Sequence, residues 1–183
     1  MRFRIAPVVI LAGVLLASVP QAADAQPPLQ PDTWLLTGAL GLALDSDGDP
    51  SLTLHGAAAY PLTAQLAVEG ELGHVFDLVP GSFDVDSSLT TVHASALYFF
   101  NTPYVLTPYL AAGIGLGKYS IDVLNPPPAS FNATEIGFNV GGGVTYPIRN
   151  DMYFRGDVRY FKHNDQVPSV WRFSGALSVR LGS

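Results

Sequence analysis

The chain is 183 residues long, 48% hydrophobic and only 13% charged, with a formal net charge of -6. It contains no cysteine, which excludes a disulfide scaffold, a thiol nucleophile and a Cys-ligated metal. Its acidity, with no basic patch to offset it, argues against nucleic acid as a partner.

Arg2 and Arg4 precede an apolar run from Ile5 to Val19, and Ala23-Asp24-Ala25 follows before Gln26. A positive region, a hydrophobic region and a small-residue cleavage site, in that order, predict a secretory signal peptide over residues 1–25. The run is short for a membrane anchor and Pro20 follows it. Cleavage would remove Arg2, Arg4 and Asp24 and leave seven cations against fourteen acids, a formal charge of -7. The 158 residues that remain suffice for one domain. Residues 26–32, beginning QPPLQP, read as an N-terminal tether, and residues 33–183 as the folded domain.

Beyond the leader no run is long and apolar enough for a spanning helix, yet short segments alternate apolar and polar residues. Gly, Pro, Asn and Asp punctuate the chain into eight predicted strands, at 33–44, 52–60, 64–76, 88–100, 104–120, 134–146, 152–162 and 170–181. The connections alternate in length. Residues 61–63, 101–103 and 147–151 are short, whereas 45–51, 77–87, 121–133 and 163–169 are longer and more polar. Short turns at one end and long loops at the other are the pattern of an antiparallel up-and-down meander closed into an all-β, eight-stranded transmembrane barrel.

Strand parity separates two faces. Leu40, Leu54, Leu72, Val92, Ile114, Phe138, Phe154 and Leu177 lie on a face that carries no charge in mid-strand. His74 and Lys118 share this parity but sit near loop ends, where a polar group costs little. The opposite face collects Thr37, His55, Glu69, Glu71, His93, Ser95, Tyr109, Glu135, Asn139, Thr145, Arg155, Asp157, Arg159, Arg172 and Arg180. An eight-stranded barrel is only wide enough to be filled by side chains, and isolated charges inside it are prohibitively costly. Pairing is therefore expected between Glu69, Glu71, Glu135 and Asp157 and the guanidinium groups of Arg155, Arg159 and Arg172, with Arg180 at the end of the set. Interior-parity glycines at 113, 115, 117, 137, 141 and 143 leave room for such large neighbours. Tyr98, Phe100, Tyr104, Tyr146 and Tyr153 cluster near the short turns, as an aromatic girdle would.

A search for chemistry yields little. The four histidines lack a compact ligand spacing, and no nucleophile elbow marks Ser95 beside His93. Asp45, Asp47 and Asp49 form an acidic loop without the remaining pattern of a helix-loop-helix calcium site. Pro126, Pro127 and Pro128 cannot continue a paired strand and predict a semi-rigid protruding loop. Phe131 beside them reads as a contact with the barrel rim, or else with a ligand or partner. Metal and cofactor sites are expected to be absent.

Four segments, TPYLAAGIGLG at 107–117, IGFNVGGGVTY at 136–146, YFRGDVRYF at 153–161 and WRFSGALSVRL at 171–181, carry a resemblance to the small outer-membrane β-barrel family that includes opacity-type adhesins and the OmpA-like membrane domain. The resemblance implies a bacterial outer-membrane location and insertion among its lipids by the barrel assembly machinery. It also implies a non-enzymatic, porin-like surface protein whose loops serve adhesion or contact with a host or envelope protein. The peptidoglycan-binding domain of OmpA-like proteins is not carried over. The ending Arg180-Leu181-Gly182-Ser183 departs from the aromatic final residue common in such barrels. His163-Asn164-Asp165 departs from the His-x-Ser-Asn arrangement of the small-barrel lipid A deacylases. Two alternatives stay open: a soluble periplasmic lipocalin-like carrier of a small molecule, and a lipid-modifying outer-membrane enzyme.

Overall fold

The computed structural model describes residues 29–45, 49–76, 85–123, 129–164 and 167–182. Period-two alternation dictates strands throughout, and no helix among these residues is long and apolar enough to cross a membrane. The strands are β1 (Trp34–Leu44), β2 (Pro50–Pro61), β3 (Leu66–Phe76), β4 (Val85–Phe99), β5 (Thr107–Val123), β6 (Ala129–Arg149), β7 (Met152–His163) and β8 (Val170–Leu181). Each pairs antiparallel with its neighbour in sequence, and β1 pairs with β8, from Trp34↔Leu181 to Leu44↔Trp171, to close the barrel. At this seam Gly182, with φ 104°, takes a left-handed turn that L side chains rarely adopt. A Cβ there would stand 3.0 Å from the Asp32 carbonyl oxygen.

Large apolar side chains point outward all round the barrel: Ile114 is 70% exposed, and Leu40, Leu72, Leu110 and Ile136 are similarly bare. A soluble protein does not present a continuous belt of this kind, and a lipid-immersed barrel requires one. The two lysines, Lys118 and Lys162, also point outward, towards the long-loop end of β5 and β7.

The interior is layered. At the short-turn end Leu35, Ala59, Ala67, Leu97, Phe99, Tyr109, Ala111 and Tyr153 form an apolar cluster. Leu29, from the segment read as a tether, completes it and is only 1% exposed. At the long-loop end Ala43, Val75, Leu89, Ala133, Phe161, Val167 and Val170 form a second cluster, with Tyr119 packed against it. Charged and hydrogen-bonded side chains fill the space between.

Several strand limits differ from the sequence reading. The predicted loop 121–133 is mostly paired strand: Val123 stands opposite Ala129, and β4 reaches back to Val85 opposite Val123. Cross-strand pairing, which the isolated segments do not reveal, sustains these extensions beyond the barrel. The predicted turn 147–151 shrinks to Asn150 and Asp151, because β6 runs through Pro147 by shifting register between Pro147 and Arg149. Residues 104–106 are turn, not strand. Tyr153 leaves the expected girdle: its parity turns it inward, and it is buried, whereas Tyr98, Phe100, Tyr104 and Tyr146 remain exposed.

Candidate functional site

The candidate site residues fall in two regions of the barrel, the interior and the outer end. Inside, β3 contributes Glu69 and Glu71 at successive inward positions, β7 contributes Arg155, Asp157 and Arg159, and β8 contributes Arg172. Arg155 Nη1 donates to Glu69 Oε2 at 2.5 Å, and Arg159 Nη2 to Glu69 Oε1 at 2.6 Å. Arg172 grips Glu71 in a fork, its Nη1 and Nη2 reaching Oε1 and Oε2 at 2.6 and 2.7 Å. Arg159 Nη1 also lies 3.6 Å from Glu71 Oε2. Asp157 sits among all three guanidinium groups, at 3.2 Å from Arg155, 3.1 Å from Arg159 and 3.7 Å from Arg172.

Three acids and three arginines thus balance, and the Glu69 and Arg159 side chains are both 0% exposed. Tyr109 ties the set to β5: its hydroxyl donates to Asp157 and accepts from Arg155 Nε at 2.6 Å. The Arg155 guanidinium lies over the Tyr109 ring and that of Arg172 over the Phe161 ring, each 4.6 Å from the centroid. The glycines make this packing feasible. A Cβ at Gly141 would strike the Arg159 side chain at 2.9 Å, and one at Gly143 the Tyr109 hydroxyl at 2.7 Å.

The other expected interior charges lie apart from this cluster. Arg180 pairs with Asp151 at 3.1 Å and donates to the Tyr153 hydroxyl at 2.8 Å, at the short-turn end. Glu135 stands on β6 opposite Gly117, towards the outer end. His93 packs edge-on against Phe161, and its ring centroid is 6.0 Å from that of His163. Ser95 bonds Asn139 at 3.2 Å. His74 faces outward, with Nδ1 2.9 Å from the Thr90 hydroxyl. Among the described residues, no three His, Asp or Glu side chains converge as a metal site.

At the outer end, Asp49 N donates to Asp45 Oδ1 at 3.1 Å, closing the acidic loop on itself. Asp47 and Pro126, Pro127 and Pro128 lie outside the described residues. Phe131 stands in β6 opposite Ile121 and is 49% exposed. With Ser87 of β4 these residues share one face of a three-stranded sheet raised above the belt. Ser88, Ser120 and Asn132 share the other, where Ser120 Oγ donates to Asn132 Oδ1 at 2.8 Å. The sequence reading missed this raised sheet and the buried Leu29, because neither rests on a local periodic signal.

An apolar outer belt, a closed eight-stranded meander and a charge-filled interior define a transmembrane β-barrel of the bacterial outer membrane. The chain belongs to the outer membrane protein beta-barrel domain family, which matches residues 9–179. Among solved structures it is similar to Neisserial surface protein A (NspA), with 24% identity and a TM-score of 0.64 over 80% of this chain and 95% of that one. The N-terminal β-barrel domain of Pseudomonas aeruginosa OprF follows, with 18% identity and a TM-score of 0.61 over 82% of this chain and 98% of that one. Ail, the attachment invasion locus protein of Yersinia pestis, has 14% identity and a TM-score of 0.58 over 84% and 100% of the respective chains. Ail has also been solved in complex with the heparin analogue sucrose octasulfate. Among curated proteins, none matches this chain in sequence. The soluble carrier reading is thereby corrected: the belt faces lipid, and the interior that would hold a ligand is occupied by the ion-pair cluster.

Proposed function

We propose that this chain is a non-enzymatic surface protein of the outer membrane whose outer loops make adhesive contacts, exported through cleavage of residues 1–25. The observation that carries this reading is the raised β4–β5–β6 sheet, which holds Phe131 half exposed above the belt on a rigid, paired support. An exposed aromatic on such a support is the kind of anchor protein interfaces use. The likeness in fold to an attachment protein and a neisserial surface protein agrees with it.

The outer connections, residues 45–51, 77–87, 121–133 and 163–169, contain eight aspartates and neither lysine nor arginine. A polyanion of the heparin type is therefore a poor partner for this chain, and a basic protein surface a good one. The Ser95 and His93 pair, the one weighed for hydrolase chemistry, is engaged in packing. Ser95 is committed to Asn139, and His93 lies inside the barrel against Phe161.

The test expresses the full chain on a double-membraned bacterium and compares it with a variant whose residues 120–132 are replaced by Asn-Gly. Tyr119 and Ala133, which already face each other in the ladder, would be joined by the short turn. Adherence to epithelial monolayers and to immobilised matrix proteins should be gained with the full chain and lost with the trimmed one, both being inserted as heat-modifiable barrels. Equal adherence of cells with and without the full chain overturns the reading.

A further inference from the structure

Two imidazole rings lie side by side in the outer part of the interior. His93 projects inward from β4 and His163 from the last position of β7, and they are only 2% and 1% exposed. Their ring centroids are 6.0 Å apart. Glycine makes room for both. A Cβ at Gly115 would stand 2.5 Å from His93 Cδ2. Cβ atoms at Gly117 and Gly137 would stand 2.6 Å from His163 Nε2 and 2.5 Å from its Cδ2. All three positions must therefore go without a side chain if the rings keep their places.

The nitrogens of the pair define its chemistry. His163 Nδ1 lies 3.2 Å from the Pro168 carbonyl oxygen. A carbonyl only accepts, so Nδ1 carries the proton and Nε2 keeps the lone pair. Among the described residues that lone pair has no hydrogen-bond partner, and neither ring nitrogen of His93 has one. Buried polar groups are nearly always satisfied, so three orphaned nitrogens on two neighbouring rings call for a ligand. An imidazole whose N–H is tied to a backbone carbonyl while its other nitrogen stays open is the arrangement of a metal-ligating histidine. The hydrogen bond fixes both tautomer and ring direction.

Spacing and surroundings select the ion. An ion about 2.0–2.1 Å from each nitrogen holds two ring centroids roughly 5–6 Å apart, the wider value belonging to a nearly straight nitrogen–metal–nitrogen angle. The observed separation is the wider one. Among the described residues no third His, Asp or Glu completes a set of three ligands. Zinc sites take four ligands, whereas copper(I) is a soft, singly charged ion that accepts two. The Arg172 guanidinium, 4.6 Å from the centroid of the Phe161 ring on which His93 packs, also favours the smaller charge. The chain has no cysteine to compete for such an ion. We infer that His93 and His163 form a two-coordinate copper(I) site just inside the outer mouth. Because His163 ends β7, an ion reaches the pair from the outer side, past Val167 and Val170, without crossing the ion-pair cluster.

The test uses the untagged full chain refolded in nanodiscs of zwitterionic lipid and titrated anaerobically with copper(I) against a colorimetric copper(I) chelator. About one ion per chain should bind, and the copper X-ray absorption spectrum should show two imidazole nitrogens as the whole coordination shell. His93→Gln and His163→Gln should each weaken binding by at least the roughly 10–100-fold that loss of an outer-shell partner costs. His74→Gln, which alters an outward ring bonded to Thr90, should leave it unchanged. The spectrum is recorded on the parent chain and decides the matter even where a variant fails to refold. Absence of stoichiometric binding, a shell other than two imidazoles, or unchanged affinity in the two inward variants overturns the inference. Equal weakening by His74→Gln, or retention of zinc in preference to copper(I) when both are offered, overturns it as well.

Discussion

Glu69 shows what a single side chain contributes here. Its two oxygens accept from Arg155 and Arg159 in a space closed to water. Replacing it by Gln leaves two guanidinium groups short of a charge, and breaking a buried pair of this kind typically costs about 3–5 kcal/mol. Urea unfolding of the barrel from lipid vesicles should show a loss of that size for Glu69→Gln. Exchange of an exposed acid such as Asp49 for Asn should change stability by less than about 0.5 kcal/mol. Strand parity made the inward direction of these residues legible, because side chains alternate with a period of two. Their partners were not legible individually. Arg155 is 86 residues from Glu69 and Arg172 is 101 from Glu71, so the match depends on the closed barrel's stagger. The same limit hid the role of Tyr109, whose ring and hydroxyl serve two charged residues on β7.

Strands are asymmetric along their length as well as across it. On β5, Ile114 points into the belt, while Lys118 has the same outward parity four residues nearer the outer end. Placing a cation at the first position should cost about 2–4 kcal/mol, whereas near the boundary the cost falls to about 0–1 kcal/mol. Ile114→Arg is accordingly expected to lower the urea midpoint sharply, with Lys118→Arg close to the parent, measured on barrels refolded side by side. Most of each strand was readable from alternation and punctuation. The exceptions were the raised parts of β4, β5 and β6, where polar residues and the nearby prolines imitate a loop. What makes Ser130, Phe131 and Asn132 strand is the ladder to Ile121 and its neighbours, a property of the pair and not of either segment.

For the whole molecule the decisive feature is the layered interior. Apolar clusters close both mouths, and balanced ion pairs fill the middle. A pore would need a continuous wet path, and an eight-stranded barrel filled by side chains has none to offer. Planar bilayers containing the refolded protein should therefore show no steady single-channel current. Reproducible open steps would mean that the clusters part. Barrel closure and outer-membrane residence were foreseeable from eight alternating segments with short and long connections in turn. The inner seal was not, since Leu29 lies among prolines and glutamines that carry no strand signal.

That inner seal also depends on nearly the whole wall. Leu29 precedes β1 by only a few residues, yet the cluster it completes draws on β1 to β5 and β7. β1 itself is secured on both sides only when Trp34 meets Leu181, the longest reach in the chain and hence the slowest kind of pairing to form. The seat for Leu29 therefore exists only where a wall from β1 to β7 stands together, and burial of this one residue reports a nearly complete barrel.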